Sequence, residues 1–168
     1  MKRIGDLFDK IANMDNLILA DMKARRGKKD SYGIRLFDKD KEGNLSRLLK
    51  SLLDGTFKTS KYRTDTIYEP KERIIFKLPY YPDRILHHAI MSVMEPIWVS
   101  VFTADTTSCI KGRGITEAYK RTRRALSDRE SVYCLKVDIR KFYPSIDHEV
   151  LKGCLLYTSP SPRDSTSS

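Results

Sequence analysis

The sequence contains few cysteines and no long apolar run, and both shortages restrict the classes of protein it can encode. Only 3 of its 168 residues are cysteine, and Cys109, Cys134 and Cys154 show no paired metal-ligand spacing, which favours a reducing compartment. No apolar run approaches the roughly 18 residues of a membrane span, and no signal-like apolar segment follows the first residues. A cytoplasmic protein without a membrane partner is therefore the expectation.

What the chain does have is a large excess of positive charge. It carries 32 lysines and arginines against 22 acidic residues, a net charge of +10. With 40% hydrophobic residues it has the composition of a globular domain, and its basicity favours polyanions such as nucleic acids as partners. The basic cluster Lys23–Lys29 is either a solvated helix end, which the helix dipole favours, or a phosphate contact.

Helical patterns dominate residues 1–60. Apolar side chains recur at helical spacing from Leu7 to Ile18, and a second helix is predicted to end near Gly27. Asp15 and Asn16 are both candidates for the cap of this second helix. Further on, Asn44 precedes a leucine-rich helical stripe that Gly55 follows, which predicts a third helix with a cap and a C-terminal glycine.

A β-hairpin is predicted next. Tyr62–Tyr68 and Arg73–Leu78 alternate like strands and are separated by a short turn that contains proline. On the second strand Arg73, Ile75 and Lys77 share one face, while apolar side chains share the other. The hairpin is therefore expected to present one cationic face.

A wide apolar helical face follows the hairpin. Asp83 suits the first turn of this helix, and Pro96 is expected to end or kink it. His87 and His88 are adjacent, so on a helix they point about 100° apart and cannot both face one metal ion. A zinc site is excluded on that ground.

A glycine-rich loop precedes one more helix. Gly112 and Gly114 flank Arg113, which lets the backbone approach a ligand closely, but the third glycine of a dinucleotide fingerprint is missing. The helix is expected to turn its apolar side chains inward: Ile115, Ala118, Tyr119, Ala125 and Leu126. Its cationic side chains are expected to be solvated or to face nucleic acid: Lys120, Arg121, Arg123 and Arg124.

The segment Tyr133–His148 carries the most specific pattern in the chain. It begins as an apolar, strand-like run that one acid, Asp138, interrupts, and Tyr143 and Pro144 follow five and six residues later. A carboxylate at the end of a buried strand is costly unless a cation meets it, and a divalent metal ion is a common partner. The alternative is a surface strand with a single exposed Asp.

This order of acid, aromatic pair and Pro-Ser-Ile-Asp-His resembles the first catalytic motif of reverse transcriptases, above all those of group II introns, retrons and diversity-generating retroelements. The resemblance implies that Asp138 is catalytic and that its carboxylate and the carbonyl of Ile139 are ligands of two Mg²⁺ ions. It also implies that Tyr143 lies beneath the sugar of the incoming nucleotide and excludes a 2′ hydroxyl.

Three upstream stretches resemble the same family in the same order. Residues 71–79 are similar to its first fingers motif, which implies that Arg73, joined by Lys71, binds the nucleotide phosphates. Residues 83–97 and the glycine-rich stretch 107–115 match further motifs. The contacts that these two motifs imply for template and primer are Arg84, Lys111 and Arg113.

The implied fold is α/β: a helical N-terminal extension over 1–60, fingers over 61–130 and the start of a palm over 131–153. The implied reaction is nucleotidyl transfer, with deoxynucleoside triphosphates, an RNA template and a DNA or RNA primer as partners. Residues 154–168 resemble a translated sequencing-library adapter and are expected to be non-native, the alternative being a Ser/Pro-rich linker.

The family's second acidic motif, Tyr-x-Asp-Asp, is not in this sequence, which contains no Asp-Asp pair. The chain by itself is therefore expected to be an inactive N-terminal part of an active polymerase. Asp147, the other acid of the motif, is expected to cap the following helix. The alternatives are a non-catalytic RNA-binding or defence-type module with this fold, and a template-independent polymerase.

Overall fold

A computed structural model describes residues 4–28, 31–128, 130 and 133–158, with the backbone alone for 155–158. The chain divides into two compact units: Asp6–Trp98, called here the N-terminal unit, and Met1–Gly5 with Val99–Ser168, called the C-terminal unit. The predicted division into extension, fingers and palm is a functional one and stays a prediction. The expected non-native tail lies outside the described residues from 159 onwards.

Two short helices open the N-terminal unit, α1 (Leu7–Ile11) and α2 (Met14–Ala24). The predicted pair of helices is confirmed, but neither predicted residue is the cap. Asn13 caps α2, because its side chain accepts a hydrogen bond from the Asp15 amide at 2.9 Å. Asn16 instead donates its amide to the Ala89 carbonyl at 3.1 Å, a contact between segments far apart in sequence.

Helix α3 (Tyr32–Asp38), which the sequence pattern did not predict, is followed by α4 (Lys41–Leu53). The predicted start of α4 is wrong by one turn, since the Asp40 carboxylate caps it by accepting the Gly43 amide at 3.1 Å. Asn44 lies inside α4 and donates to the Phe37 carbonyl at 3.0 Å. Gly55 follows the helix at φ 65°, the left-handed conformation of a C-terminal glycine, as predicted.

One apolar core holds this unit together. It forms where α2, α3, α4 and the residues after the hairpin meet, and its largest fully buried apolar side chains are Phe37, Leu17, Ile34, Leu48 and Ile85. Burying such a side chain contributes about 1.5–3 kcal/mol. The leucines predicted for the core of α4 are buried at Leu45, Leu48 and Leu52, whereas Leu53 is exposed.

The predicted hairpin is present. Strands β1 (Arg63–Tyr68) and β2 (Glu72–Lys77) pair antiparallel with Asp65 opposite Ile75, so Arg73, Ile75 and Lys77 share a face as expected. Both faces are largely solvent-exposed, including Phe76 on the apolar side. The mixture of helices with a small antiparallel sheet agrees with the coarse α/β prediction.

After the hairpin, an irregular turn over Tyr80–Arg84, with a cis bond between Tyr81 and Pro82, leads into helix α5 (Ile85–Val101). The helix continues for five residues beyond Pro96, so the prediction that it might end there is wrong. In the described parts of the chain no helix is both long and apolar enough to cross a membrane.

The C-terminal unit contains α6 (Ile115–Leu126), a single helical turn at Tyr143–Ser145 and α7 (His148–Thr158). The predicted palm strand is wrong, because residues 133–139 form no strand. Their apolar side chains are exposed, and that of Leu135 is 87% exposed. A strand needs a partner to bond its backbone groups, and the described residues offer this segment none. Val132, which the prediction included, lies outside the described residues.

The inward apolar face predicted for α6 is also wrong. Ile115 is 88% exposed, and Tyr119 and Leu126 are more than half exposed. Ala125 is exposed as well, and Ala118 is half-buried. Helical spacing correctly placed these side chains on one stripe, but no described residue covers the stripe.

Candidate nucleotide and nucleic-acid contacts

The predicted phosphate ligands lie on the exposed hairpin. Arg73 lies opposite Ile67, and its side chain makes no hydrogen bond or ion pair with any described residue. Lys77 on the same face is paired with Asp65, so its charge is partly neutralised within the hairpin. Lys71 lies in the exposed turn, where its backbone carbonyl accepts the Glu69 amide at 3.2 Å. Arg73 and Lys71 therefore keep their side chains available for an anion.

Arg84, the first predicted template contact, is half-buried at the start of α5. Its Nε is buried and has no hydrogen-bond partner among the described residues, and such a donor costs about 1–3 kcal/mol. The side chain lines a cavity of about 280 Å³ together with Lys28 and Ser31. The Nε itself has no contact with solvent, so the role of Arg84 as a template contact stays a prediction.

Two polar side chains beside Arg84 have structural roles. Asp83 is buried, and its Oδ1 accepts the Ser60 amide at 2.9 Å, which ties the residues before β1 to the start of α5. Burial lowers the pKa of His88, and the charges of Arg84 and Lys23 lower it further. The lowered pKa favours the neutral imidazole of His88.

The glycine-rich loop is tied together by its own backbone. Arg113 is half-buried, and its Nη1 donates to the Thr103 carbonyl at 3.2 Å. The Arg113 carbonyl accepts the Ser108 amide at 2.8 Å, and Gly112 adopts φ 80°. Arg113 thus uses one of its guanidinium nitrogens to close the loop. Lys111 is exposed.

Cationic side chains of α6 differ from the expectation at one position. Arg121 is not simply solvated, because it binds Asp105 at 2.8 Å and Glu117 at 3.0 Å. The hydrogen bond that Arg121 donates to Asp105, and then the one that it donates to Glu117, raise the pKa of the guanidinium. Lys120, Arg123 and Arg124 are exposed, as expected.

Asp138 lies in the irregular exposed segment, where its carboxylate has no hydrogen-bond or ion-pair partner among the described residues. Tyr143 is 82% exposed, with its ring against that of Phe142 at a centroid distance of 5.3 Å. The capping role expected for Asp147 is confirmed, since its Oδ1 accepts the amides of Glu149 and Val150 at 2.9 and 3.1 Å.

The implied magnesium site is incomplete. Asp138 and the carbonyl of Ile139 offer two oxygens, whereas Mg²⁺ prefers about six in octahedral geometry. Among the residues that the structure describes, no three His, Cys, Asp or Glu side chains lie together as a metal site would need. The described residues therefore do not fit a two-ion centre, and the two Mg²⁺ ions stay a prediction.

The predicted site residues divide between the two units. The N-terminal unit contains Lys71, Arg73 and Arg84. The C-terminal unit contains Lys111, Arg113, Asp138, Ile139 and Tyr143.

The sequence pattern missed a buried ionic network in the N-terminal unit. Asp21 is fully buried, and its carboxylate binds Arg25 at 2.7 Å, Lys41 at 2.9 Å and the hydroxyl of Tyr80. Arg25 also bridges to Asp38 at 2.8 Å. The spacing of Asp21 and Arg25, four residues apart on a helix, was the one signal in the sequence.

The network changes the acidity of its members. Burial alone would raise the pKa of Asp21, but hydrogen bonds from Arg25, Tyr80 and Lys41 outweigh it, so the pKa lies below its ordinary value. Burial and then the bond to Asp21 raise the pKa of Tyr80. Asp21 is thus held as a carboxylate and Tyr80 as a phenol.

No known family matches the chain, and no curated protein is significantly similar to it.

Proposed function

We propose that the chain is the fingers region and the beginning of the palm of an RNA-directed DNA polymerase. The observation that carries the proposal is the order of four motif-like stretches, 71–79, 83–97, 107–115 and 133–148. Each resembles the reverse transcriptase motif expected at its place. The net charge of +10 supports a polyanionic partner.

In this proposal Arg73 and Lys71 bind the triphosphate of the incoming nucleotide. Both side chains are exposed on the hairpin, and Arg73 has no partner among the described residues that would compete for its donors. A guanidinium presents a planar set of donors that suits phosphate oxygens. Arg84, Lys111 and Arg113 would hold the template and primer by their phosphates.

The chemistry in this proposal is the attack of a primer 3′ hydroxyl on the α-phosphate of a deoxynucleotide that is paired with the template. Asp138 is the catalytic carboxylate, and its exposure leaves both oxygens accessible. The ring of Tyr143 would exclude a ribonucleotide by contact with its 2′ hydroxyl. The Mg²⁺ ions that the resemblance implies require carboxylates in addition to Asp138.

A primer-extension assay tests the proposal. The natural gene product that carries residues 1–153, including its own continuation, is incubated with an RNA template, a DNA primer and deoxynucleotides. We expect complementary DNA whose length follows the template, and no product when the template is omitted. Extension without template would indicate a template-independent polymerase and contradict the proposal.

The surplus of exposed cations also fits a second function, a non-catalytic RNA-binding module. Lys111, Lys120, Arg123 and Arg124 are exposed in the C-terminal unit, and RNA binding needs none of the chemistry of Asp138. This alternative predicts RNA binding that weakens steeply with salt, together with no primer extension under any divalent metal.

A further inference from the structure

The N-terminal unit contains a groove that includes the end of the 71–79 stretch but none of the predicted site residues. It lies between α3, the start of α4 and the base of the hairpin, and its volume is about 740 Å³. This size falls within the usual range of ligand pockets, roughly 300–1,000 Å³. Neither Arg73 nor Asp138 lines the groove, so a ligand bound there would not need the residues of the proposed chemistry.

The floor of the groove is aromatic and firmly held. The rings of Tyr80 and Tyr81 both pack against Phe37, each with a centroid distance of 5.6 Å. The hydroxyl of Tyr80 is anchored by the buried Asp21. A side chain at Gly33 would bring a Cβ within 3.0 Å of the Cβ of Tyr80, so the glycine allows α3 to approach this ring.

A further aromatic ring lies at the edge of the groove without a partner. Tyr32 is 74% exposed, and its side chain makes no hydrogen bond or ring contact with any described residue. An exposed ring beside a rigid aromatic floor is an arrangement on which a flat ligand can stack.

The rim of the groove is cationic. Lys39, Lys61 and Arg63 line it and have no ion-pair partner in the described chain. Asp40, the lining carboxylate, is already paired with Arg47 at 2.8 Å. The three available cations come from two places, the residue after α3 and the approach to β1, so they suit an anion with several separated charges.

We propose that this groove binds a single-stranded segment of nucleic acid, with a base against Tyr32 and backbone phosphates at Lys39, Lys61 and Arg63. Aromatic stacking requires an exposed base face, which a duplex does not offer inside its stack. An acidic peptide would satisfy the cations but would leave the aromatic wall unused. A single nucleotide would engage only part of the separated cations.

Fluorescence anisotropy with the 168-residue chain and a fluorescein-labelled oligouridylate of about ten nucleotides tests this, in a length range that such sites cover. Neither metal nor nucleoside triphosphate is added, so the result does not depend on polymerase activity. Tyr32→Ala is compared with Tyr68→Ala, since the two tyrosines are 74% and 72% exposed and only Tyr32 lines the groove.

We expect Tyr32→Ala to weaken binding about tenfold through lost stacking, while Tyr32→Phe and Tyr68→Ala bind like the wild type. Equal affinities for Tyr32→Ala and Tyr68→Ala would overturn the proposal. Because Tyr32 is exposed, its replacement does not disturb the core.

A second set of variants tests the cationic rim by replacing two lysines at a time. Lys39→Gln with Lys61→Gln is expected to reduce the slope of log affinity against log salt by about 1.4, at roughly 0.7 per phosphate contact on a single strand. Lys10→Gln with Lys50→Gln removes the same charge from exposed positions outside the groove and should leave the slope unchanged.

Competition identifies the form of the ligand. Unlabelled single-stranded RNA should displace the probe, whereas duplex RNA and uridine monophosphate at the same nucleotide concentration should not. Displacement by either of these at equal concentration would contradict a single-stranded site. The chain could bind the probe as predicted while its natural gene product shows no primer extension. That result would refute the proposed function but would still support nucleic-acid binding by this groove.

Discussion

The two units differ sharply in packing. Every buried apolar side chain of the described chain lies between Ala12 and Ala89, in the N-terminal unit, whereas no side chain that the structure describes within 99–154 is buried. Leu17 and Leu135 illustrate the contrast, with exposed fractions of 0% and 87%. The segment with the most specific sequence pattern, 133–148, thus lies in the unit with the less extensive packing, so such a pattern does not require a core around it.

The cause of the difference is the presence or absence of a covering surface. In the N-terminal unit α2 and α3 both contact α4, so each helix buries its apolar stripe on another. In the C-terminal unit α6 and the 133–139 segment have apolar side chains of the same kind, but nothing among the described residues covers them. Stability is therefore expected to come from the N-terminal unit.

The largest predicted effect is that of core truncation. Leu17→Ala should lower the free energy of unfolding by about 4 kcal/mol, because a buried leucine leaves a cavity. Leu135→Ala makes the same chemical change at an exposed position and should alter it by less than about 0.5 kcal/mol. Urea denaturation followed by circular dichroism measures both.

A loss of more than about 2 kcal/mol for Leu135→Ala would contradict the comparison, because it would mean that this segment is packed.

A somewhat smaller effect is expected at the buried ionic network. Asp21→Asn should cost about 3 kcal/mol, since removing the buried carboxylate leaves Lys41 without its counter-charge and Arg25 with Asp38 alone. Asp105→Asn breaks the exposed pair with Arg121 and should cost much less, because solvent screens a surface ion pair. Equal costs for the two substitutions in urea denaturation would refute a special role for the N-terminal network.

How far the sequence predicted the fold depends on whether a feature is local. The early helices and the hairpin were predictable because alternation and helical spacing act within a few residues. The 133–139 strand was predicted wrongly, because an apolar run does not reveal whether a partner strand exists. The cap of α4 was missed because Asp40 and Asn44 are both good capping residues, and tertiary bonding to Phe37 engages Asn44.

The candidate site was predictable only as a set of residue types. From the sequence, Arg73 and Arg113 are equally good candidates for binding a phosphate. In the structure, the Arg113 side chain bonds the Thr103 carbonyl, whereas the Arg73 side chain has no described partner. The network of Asp21 with Tyr80 joins positions 59 residues apart, which no local pattern encodes. The same holds for the groove beside Tyr32, whose walls come from separate segments.

The smallest predicted effect is a pH dependence that belongs to the N-terminal unit. Because the folded Asp21 has a lowered pKa, the unfolded chain binds more protons in acid, so this stability is present above about pH 4 and is lost as the pH falls through the folded pKa. The lowered pKa of His88 adds a second loss of folding stability, which begins as the pH falls below about 6.5.

Urea midpoints measured across this range test the sign, and Asp21→Asn should remove the more acidic of the two losses. A midpoint that rises on acidification would contradict the prediction. At the alkaline end, the raised pKa of Tyr80 predicts that stability falls as the pH rises above about 10, since the unfolded chain then releases a proton that the folded chain keeps.

The most direct test of the proposed function is the rate of RNA-templated primer extension by the Asp138→Asn variant of the natural gene product that carries residues 1–153. Asp138 is exposed and bonds no described residue, so the substitution should leave the unfolding midpoint unchanged. We predict that extension falls below detection while the protein stays folded. Extension at the wild-type rate would contradict the assignment of Asp138 as the catalytic carboxylate.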